Sequence, residues 1–138
     1  MMQTHSQKLL TQAITLITAV RDASSKEVQA SYGRLCYDFP VMVMTAGLAQ
    51  SVAYYQSKAT AKDVSHPSAQ NQAYGLFLAH MAKVSDHKDL YTYVHTAGLG
   101  DYMLTTQRLL DAGVFFKHLA ASVLRVESGA EESEEGQV

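Results

Sequence analysis

The stretch YGRLCYDFPVMVMTAGLAQSVAYYQSK, Tyr32 to Lys58, holds two helical patterns that meet at Pro40, with Gly47 inside the second. Val28, Tyr32, Leu35 and Phe39 recur at spacings of four, three and four, and Val41, Met44, Leu48, Val52 and Tyr55 continue a stripe beyond the proline. Pro40 has no amide hydrogen and disfavours helix in the residue before it. One helix is therefore predicted to end near Asp38, and the next to carry Pro40 in its first turn. Gly47 then falls mid-helix, at a cost of about 1 kcal/mol against alanine. A glycine at such a place predicts the close approach of another backbone, from this chain or from a partner.

The same periodicity extends along the chain. Leu9, Ala13, Leu16 or Ile17 and Val20 mark a first helix from about Met2 to Asp22, and Ser24 or Ser25 is placed to cap a second from Lys26. The third runs from Pro40 to about Ala59. A turn-rich connection, Thr60 to His66, leads to Pro67 and a fourth helix ending near Val84. A short helix is predicted over Lys88 to Thr96, and a long one from Asp101 to Val126. On that last helix the apolar arc is wide, with one polar stripe through Gln107, Asp111, His118, Ser122 and Arg125. Such a helix packs on two sides or meets another protein.

Strand patterns are nearly absent, and 47% hydrophobic residues with only two prolines exclude a disordered body. The predicted fold is all-α, a single compact bundle of about five to six helices over residues 1–126. At 138 residues it needs neither disulfide nor structural metal. The lone Cys36 lies among apolar residues and reads as a buried small hydrophobe in a reducing compartment. No apolar run approaches the roughly 20 residues of a membrane span, so a cytoplasmic protein is expected.

Charge is uneven. Five of the 13 acids, Glu127, Glu131, Glu132, Glu134 and Glu135, lie in the last twelve residues, which leaves eight acids against 11 bases in the body. Residues 127–138 read as a disordered acidic tail that solubilises the chain or competes with nucleic acid for its body.

Catalytic patterns are missing from the sequence. Most carboxylates outside the tail fall at helix ends or in linkers, where capping explains them, and no two are placed on a shared interior face as general acid–base work requires. His80, His87 and His95 are seven and eight residues apart, not the four that helical metal ligation favours. Gly98-Leu99-Gly100 lacks the lysine and serine of a phosphate loop. The expectation is a protein that is not an enzyme, with no catalytic residue, no metal site and no cofactor.

Among the cations, Arg21, Lys58, Lys83 and Arg125 fall in predicted last turns, where the helix dipole accounts for them. Lys26 and Lys88 stand at helix starts, where a bound phosphate is welcome, and Arg34, Arg108 and Lys117 are mid-helix. These five are the candidates for contact with an RNA backbone. Tyr54, Tyr91 and Tyr93 are candidates for stacking on bases.

The runs FPVMVMTAGLAQSVAYYQSK (Phe39 to Lys58) and DYMLTTQRLLDAGVFFKHLAASV (Asp101 to Val123) resemble the small helical subunit of the type III-B CRISPR effector complex, the Cmr complex. Pro40, Gly47, Leu48, Tyr54 and Lys58 match its proline, glycine-leucine step and aromatic-lysine close. Tyr102, Thr105 or Thr106, Phe115 or Phe116, and Lys117 match its last helix. The chain departs from the pattern at Ala46, where asparagine is usual, at Tyr54 for phenylalanine, and at His118 for a second fixed cation.

The resemblance implies a structural subunit of an RNA-guided antiviral complex, in which other subunits cleave the target. Several copies would stack along the guide RNA–target RNA duplex and contact its backbone. Its partners would be the other complex subunits, copies of itself, guide RNA and target RNA, with Gly47 and Tyr54 as candidate subunit contacts. The alternative reading is a helical adaptor or dimerisation domain with no nucleic-acid role.

Overall fold

The computed structural model describes residues 4–60 and 68–125. The predicted acidic tail and nearly all of the Thr60 to His66 connection lie outside the described residues. Among the described residues there are six helices and no strand: α1 (His5–Ala23), α2 (Lys26–Ala46), α3 (Leu48–Ala59), α4 (Ala69–Val84), α5 (Leu90–Thr96) and α6 (Leu99–Ser122). The all-α bundle expected from periodicity is the fold.

Local chemistry sets most helix starts. Thr4 and Gln7 form a reciprocal capping box on α1, and the Ser25, Ser68 and Asp89 side chains accept backbone N–H groups at the starts of α2, α4 and α5. Arg21, Lys58 and Lys83 do occupy last turns. Arg125 does not, because α6 ends at Ser122.

The break between the second and third helices is not at Pro40. Helix α2 runs through the proline to Ala46, and Gly47 forms the corner with φ 89° and ψ 161°, a conformation essentially restricted to glycine. The expectation of a mid-helix Gly47 is corrected by the same fact. Proline in a helix interior costs about 3 kcal/mol in isolation, but here its ring has a partner. A Cβ on Gly113 of α6 would lie 2.9 Å from Pro40 Cγ, so the absent side chain at Gly113 is what lets the proline seat against α6. Within the chain no other backbone comes close at Gly47, where a Cβ would meet only the Tyr102 hydroxyl at 3.9 Å. Gly47 offers α3 no side-chain cap, and the Ala49 N–H donates instead to the Tyr102 hydroxyl from α6 at 2.8 Å.

All six helices contribute to one buried core, and its aromatic layer lies between α2, α3 and α4. Phe39 and Phe77 meet edge to face at 5.1 Å, flanked by Tyr32 at 5.6 Å and Tyr55 at 5.7 Å from Phe77. Below them the Tyr32 hydroxyl bonds His80 Nδ1 at 2.6 Å. Burial, with a smaller push from Lys83, lowers the His80 pKa to about 4. Cys36 is buried in the same layer, and burial pushes its thiol pKa well up, which makes it inert as a nucleophile.

Helix α6 packs on α1 and α2 and more lightly on α4. It still leaves Leu99, Met103, Leu104 and Val114 exposed, so the wide apolar arc serves both packing and surface. Among the described residues no helix is long and apolar enough to cross a membrane.

Candidate nucleic-acid interface

The five candidate cations are all exposed, and the structure divides them. Lys117 lies nine residues beyond Arg108 on α6, which at 100° per residue puts the two on opposite sides of the helix. On one side, the Lys117 ammonium sits 5.8 Å from the ring centroid of Tyr37 on α2. Lys26, Arg34, Tyr37, Val41 and Met44 fall within an arc of about 80° on α2, and Leu99, Met103, Leu110, Val114 and Lys117 within about 60° on α6. These arcs form one outer face. Its cations lie toward the start of α2, and its exposed apolar residues, Met44 (77% exposed) and Met103 (62%) among them, lie toward the other end. Arg34 is engaged on this face, since its charge acts on Asp38 four residues later.

On the opposite side of α6, Arg108 joins two cations that are not among the five candidates. Lys8 from α1, Lys83 from α4 and Arg108 line a cleft of about 250 Å³, with Gln12 and Asp86. The amide of Gln12 donates to the Lys83 carbonyl at 3.1 Å, tying α1 to the end of α4. Three cations face one carboxylate, and none of the three is held in an ion pair among the described residues. Arg108 also lines a neighbouring cleft of about 360 Å³ with Leu104, Thr105, Gln107 and Asp111.

The loop between α4 and α5 is fixed to this side of α6. His87 stacks on Tyr93 at 3.6 Å, and both reach Thr105, His87 Nε2 at 3.4 Å and the Tyr93 hydroxyl at 3.0 Å. Tyr93 is thus tied into the fold. Lys88 follows His87 in the loop ahead of Asp89, the cap of α5, and is not in the first turn expected of it.

Sequence reasoning missed Lys8 and gave Lys83 wholly to the helix dipole. Three helices bring these cations together from distant points in the chain, and no spacing rule announces that. Their exposed mid-helix or end-turn positions were the only available signal.

Of the candidate subunit contacts, Gly47 has its own reason in the fold, the left-handed corner. Tyr54 is 43% exposed and has Lys58 Nζ 5.5 Å from its ring centroid. Among the described residues no group of three His, Cys, Asp or Glu side chains is arranged to hold a metal ion.

The family model for CRISPR-associated protein Cas_Cmr5 matches residues 5–123. This chain belongs to the Cmr5 family. A relative, the CRISPR system Cmr subunit Cmr5 of Thermus thermophilus, is 28% identical over 105 residues, covering 76% of this chain and 85% of that protein. The crystal structure of a CRISPR-associated Cmr5 family protein from Thermus thermophilus matches with a TM-score of 0.68 at 25% identity, over 91% of this chain and 100% of the other. The Cmr5 match spans all six helices, the α2–α6 face and the basic cleft, and it stops short of the acidic tail.

Proposed function

We propose that this Cmr5-family chain is a non-catalytic small subunit of a type III-B Cmr ribonucleoprotein, stacking in several copies along the guide RNA–target RNA duplex while other subunits cleave the target. Family membership supports the complex, and the cleft of Lys8, Lys83 and Arg108 is the observation that carries the RNA contact. Three cations converging from three helices, with one acid among them, suit consecutive phosphates of a strand. They need no base recognition, because pairing with the guide reads the sequence. Lys88 lies on the loop beside this cleft and extends the same path.

The α2–α6 face takes the other role. Its exposed Val41, Met44, Met103 and Val114 form the kind of apolar surface that meets neighbouring subunits or further copies, with Lys26, Arg34 and Lys117 at its polar end. The test is to recover the tagged protein from its own cells. Copurification of other Cmr subunits with a guide RNA of defined length is the expected result, and protein partners without RNA would favour an adaptor.

A further inference from the structure

Helix α6 ends where the α2–α6 face carries its cations. Pro40 meets Gly113 and Tyr37 meets Lys117, so residue numbers rise along α6 as they fall along α2. Lys117 lies five residues before Ser122, about 8 Å along the axis, and Lys26 lies eleven before Tyr37, about 16 Å along α2. Lys26 therefore stands just beyond the last turn of α6, with Arg34 between it and Lys117. Glu27 and Asp38 sit at the edge of this arc, and Asp38 is already answered by the Arg34 charge. An excess of positive charge is left on a side that the cleft of Lys8, Lys83 and Arg108 does not use.

Past α6 the chain is drawn in against the body. Leu124 is buried, and Arg125 takes a left-handed φ of 59°, a conformation that commonly turns the chain aside at a helix end. Residues 126–138 then hold five glutamates and no lysine, arginine or histidine. At about 3.4 Å per residue, Glu127 falls within about 17 Å of Ser122, and Glu131 to Glu135 within about 45 Å. Those reaches cover Lys117 and Lys26. The basic cleft is a poorer match, because Arg108 lies 14 residues before Ser122, about 21 Å away and on the opposite side of the helix. Asp86 opposes a carboxylate there as well. Loop closure also favours the nearer cations, since its entropic cost rises with the length of chain closed.

We propose that the acidic segment 127–135 docks on its own chain, against Lys26 and Lys117 at the cationic end of the α2–α6 face, with Arg34 beside them. Docked there, it neutralises that end and withholds it from polyanions, which leaves RNA to the cleft on the other side. The contact itself requires no RNA, and only its screening role rests on the RNA reading above.

The test is zero-length carbodiimide cross-linking of the full chain, which joins a lysine ammonium to a carboxylate in contact with it. Links are mapped by peptide mass spectrometry in an equal mixture of nitrogen-15-labelled and unlabelled protein. At low salt, Glu127 to Glu135 should be joined to Lys26 and Lys117 of the same chain in preference to Lys8, Lys58, Lys83 and Lys88. In 1 M salt, where the Debye length is about 3 Å, those links should be lost. Links spread evenly over the lysines, concentrated on Lys8 and Lys83, or formed between differently labelled chains would overturn the docking. RNA binding is then compared with a variant in which Glu127, Glu131, Glu132, Glu134 and Glu135 are all changed to glutamine. Its salt slope should steepen by about 1.4–1.8 units, the value of two further phosphates, and adding Lys26→Ala and Lys117→Ala should reverse the gain. An unchanged slope in the glutamine variant would overturn the screening role. Absence of RNA binding in every one of these proteins would remove the RNA reading and leave the cross-links to decide the docking.

Discussion

The two sides of α6 do different work with similar residues. Toward α2 the helix is closed: Gly113 admits the Pro40 ring, Tyr102 caps α3, and Lys117 lies over Tyr37. Toward the α1–α4 edge it is open, and Arg108 faces solvent in a cleft with Lys8 and Lys83. Arg108 and Lys117 look alike in the sequence, both mid-helix cations that the dipole leaves unexplained. The difference teaches that a cation's role here is set by what stands opposite its helix. Lys117 has the Tyr37 ring as a partner within the fold, whereas Arg108 lines a cleft with two other cations.

The largest expected effect is that of acid on the core behind both sides, through His80 of α4. The native state keeps His80 neutral down to about pH 4, while the unfolded chain takes up that proton near the ordinary 6.5. Between these values the unfolded state binds more protons, so stability falls as pH drops from 6.5 toward 4 and levels off below. The loss is roughly 3 kcal/mol, read by denaturant unfolding at several pH values, and His80→Gln should flatten the profile. A wild-type profile that is already flat would mean that burial does not hold the imidazole neutral.

Backbone geometry comes next. Gly47→Ala should destabilise by about 1–3 kcal/mol, since alanine is forced into a region open only to glycine. Gly113→Ala should cost about 1–2 kcal/mol despite alanine's better helix propensity, because its Cβ meets a rigid ring. A Pro40→Ala background should relieve most of that cost, which a double-mutant cycle measures. RNA affinity of the folded variants should not change. If it falls with stability, the two sides are not separable.

Smaller effects sharpen the contrast. Arg108→Ala should leave the melting temperature within the scatter of surface substitutions, about ±0.5 kcal/mol, and weaken RNA binding. Lys117→Ala should do the reverse, losing about 0.5–1 kcal/mol of cation–π contact with little change in RNA affinity.

Much of the fold was legible in the sequence because its causes are local. The period of Leu9 to Val20, the caps at Ser25, Ser68 and Asp89, and the apolar setting of Cys36 are all decided within a few residues. Pro40 misled because its helix-breaking tendency is local while its remedy, Gly113, stands on another helix. The site was less legible for the same reason. Arg108 was recognisable as a cation without a structural excuse. Lys83 had such an excuse in the dipole, Lys8 was not among the candidates for RNA contact, and only the meeting of α1, α4 and α6 brings the three to one cleft.

The most direct test is the salt dependence of RNA binding by the full chain and by a variant with Lys8, Lys83 and Arg108 all changed to alanine. Each phosphate contact releases counterions, with a slope of about −0.7 to −0.9 per contact in log K against log salt. The slope of the triple variant is expected to be shallower by about two units, while changing Lys26, Arg34 and Lys117 together leaves it nearly intact. An unchanged slope in the first variant, with the loss appearing in the second, would place RNA on the α2–α6 face and contradict the assignment.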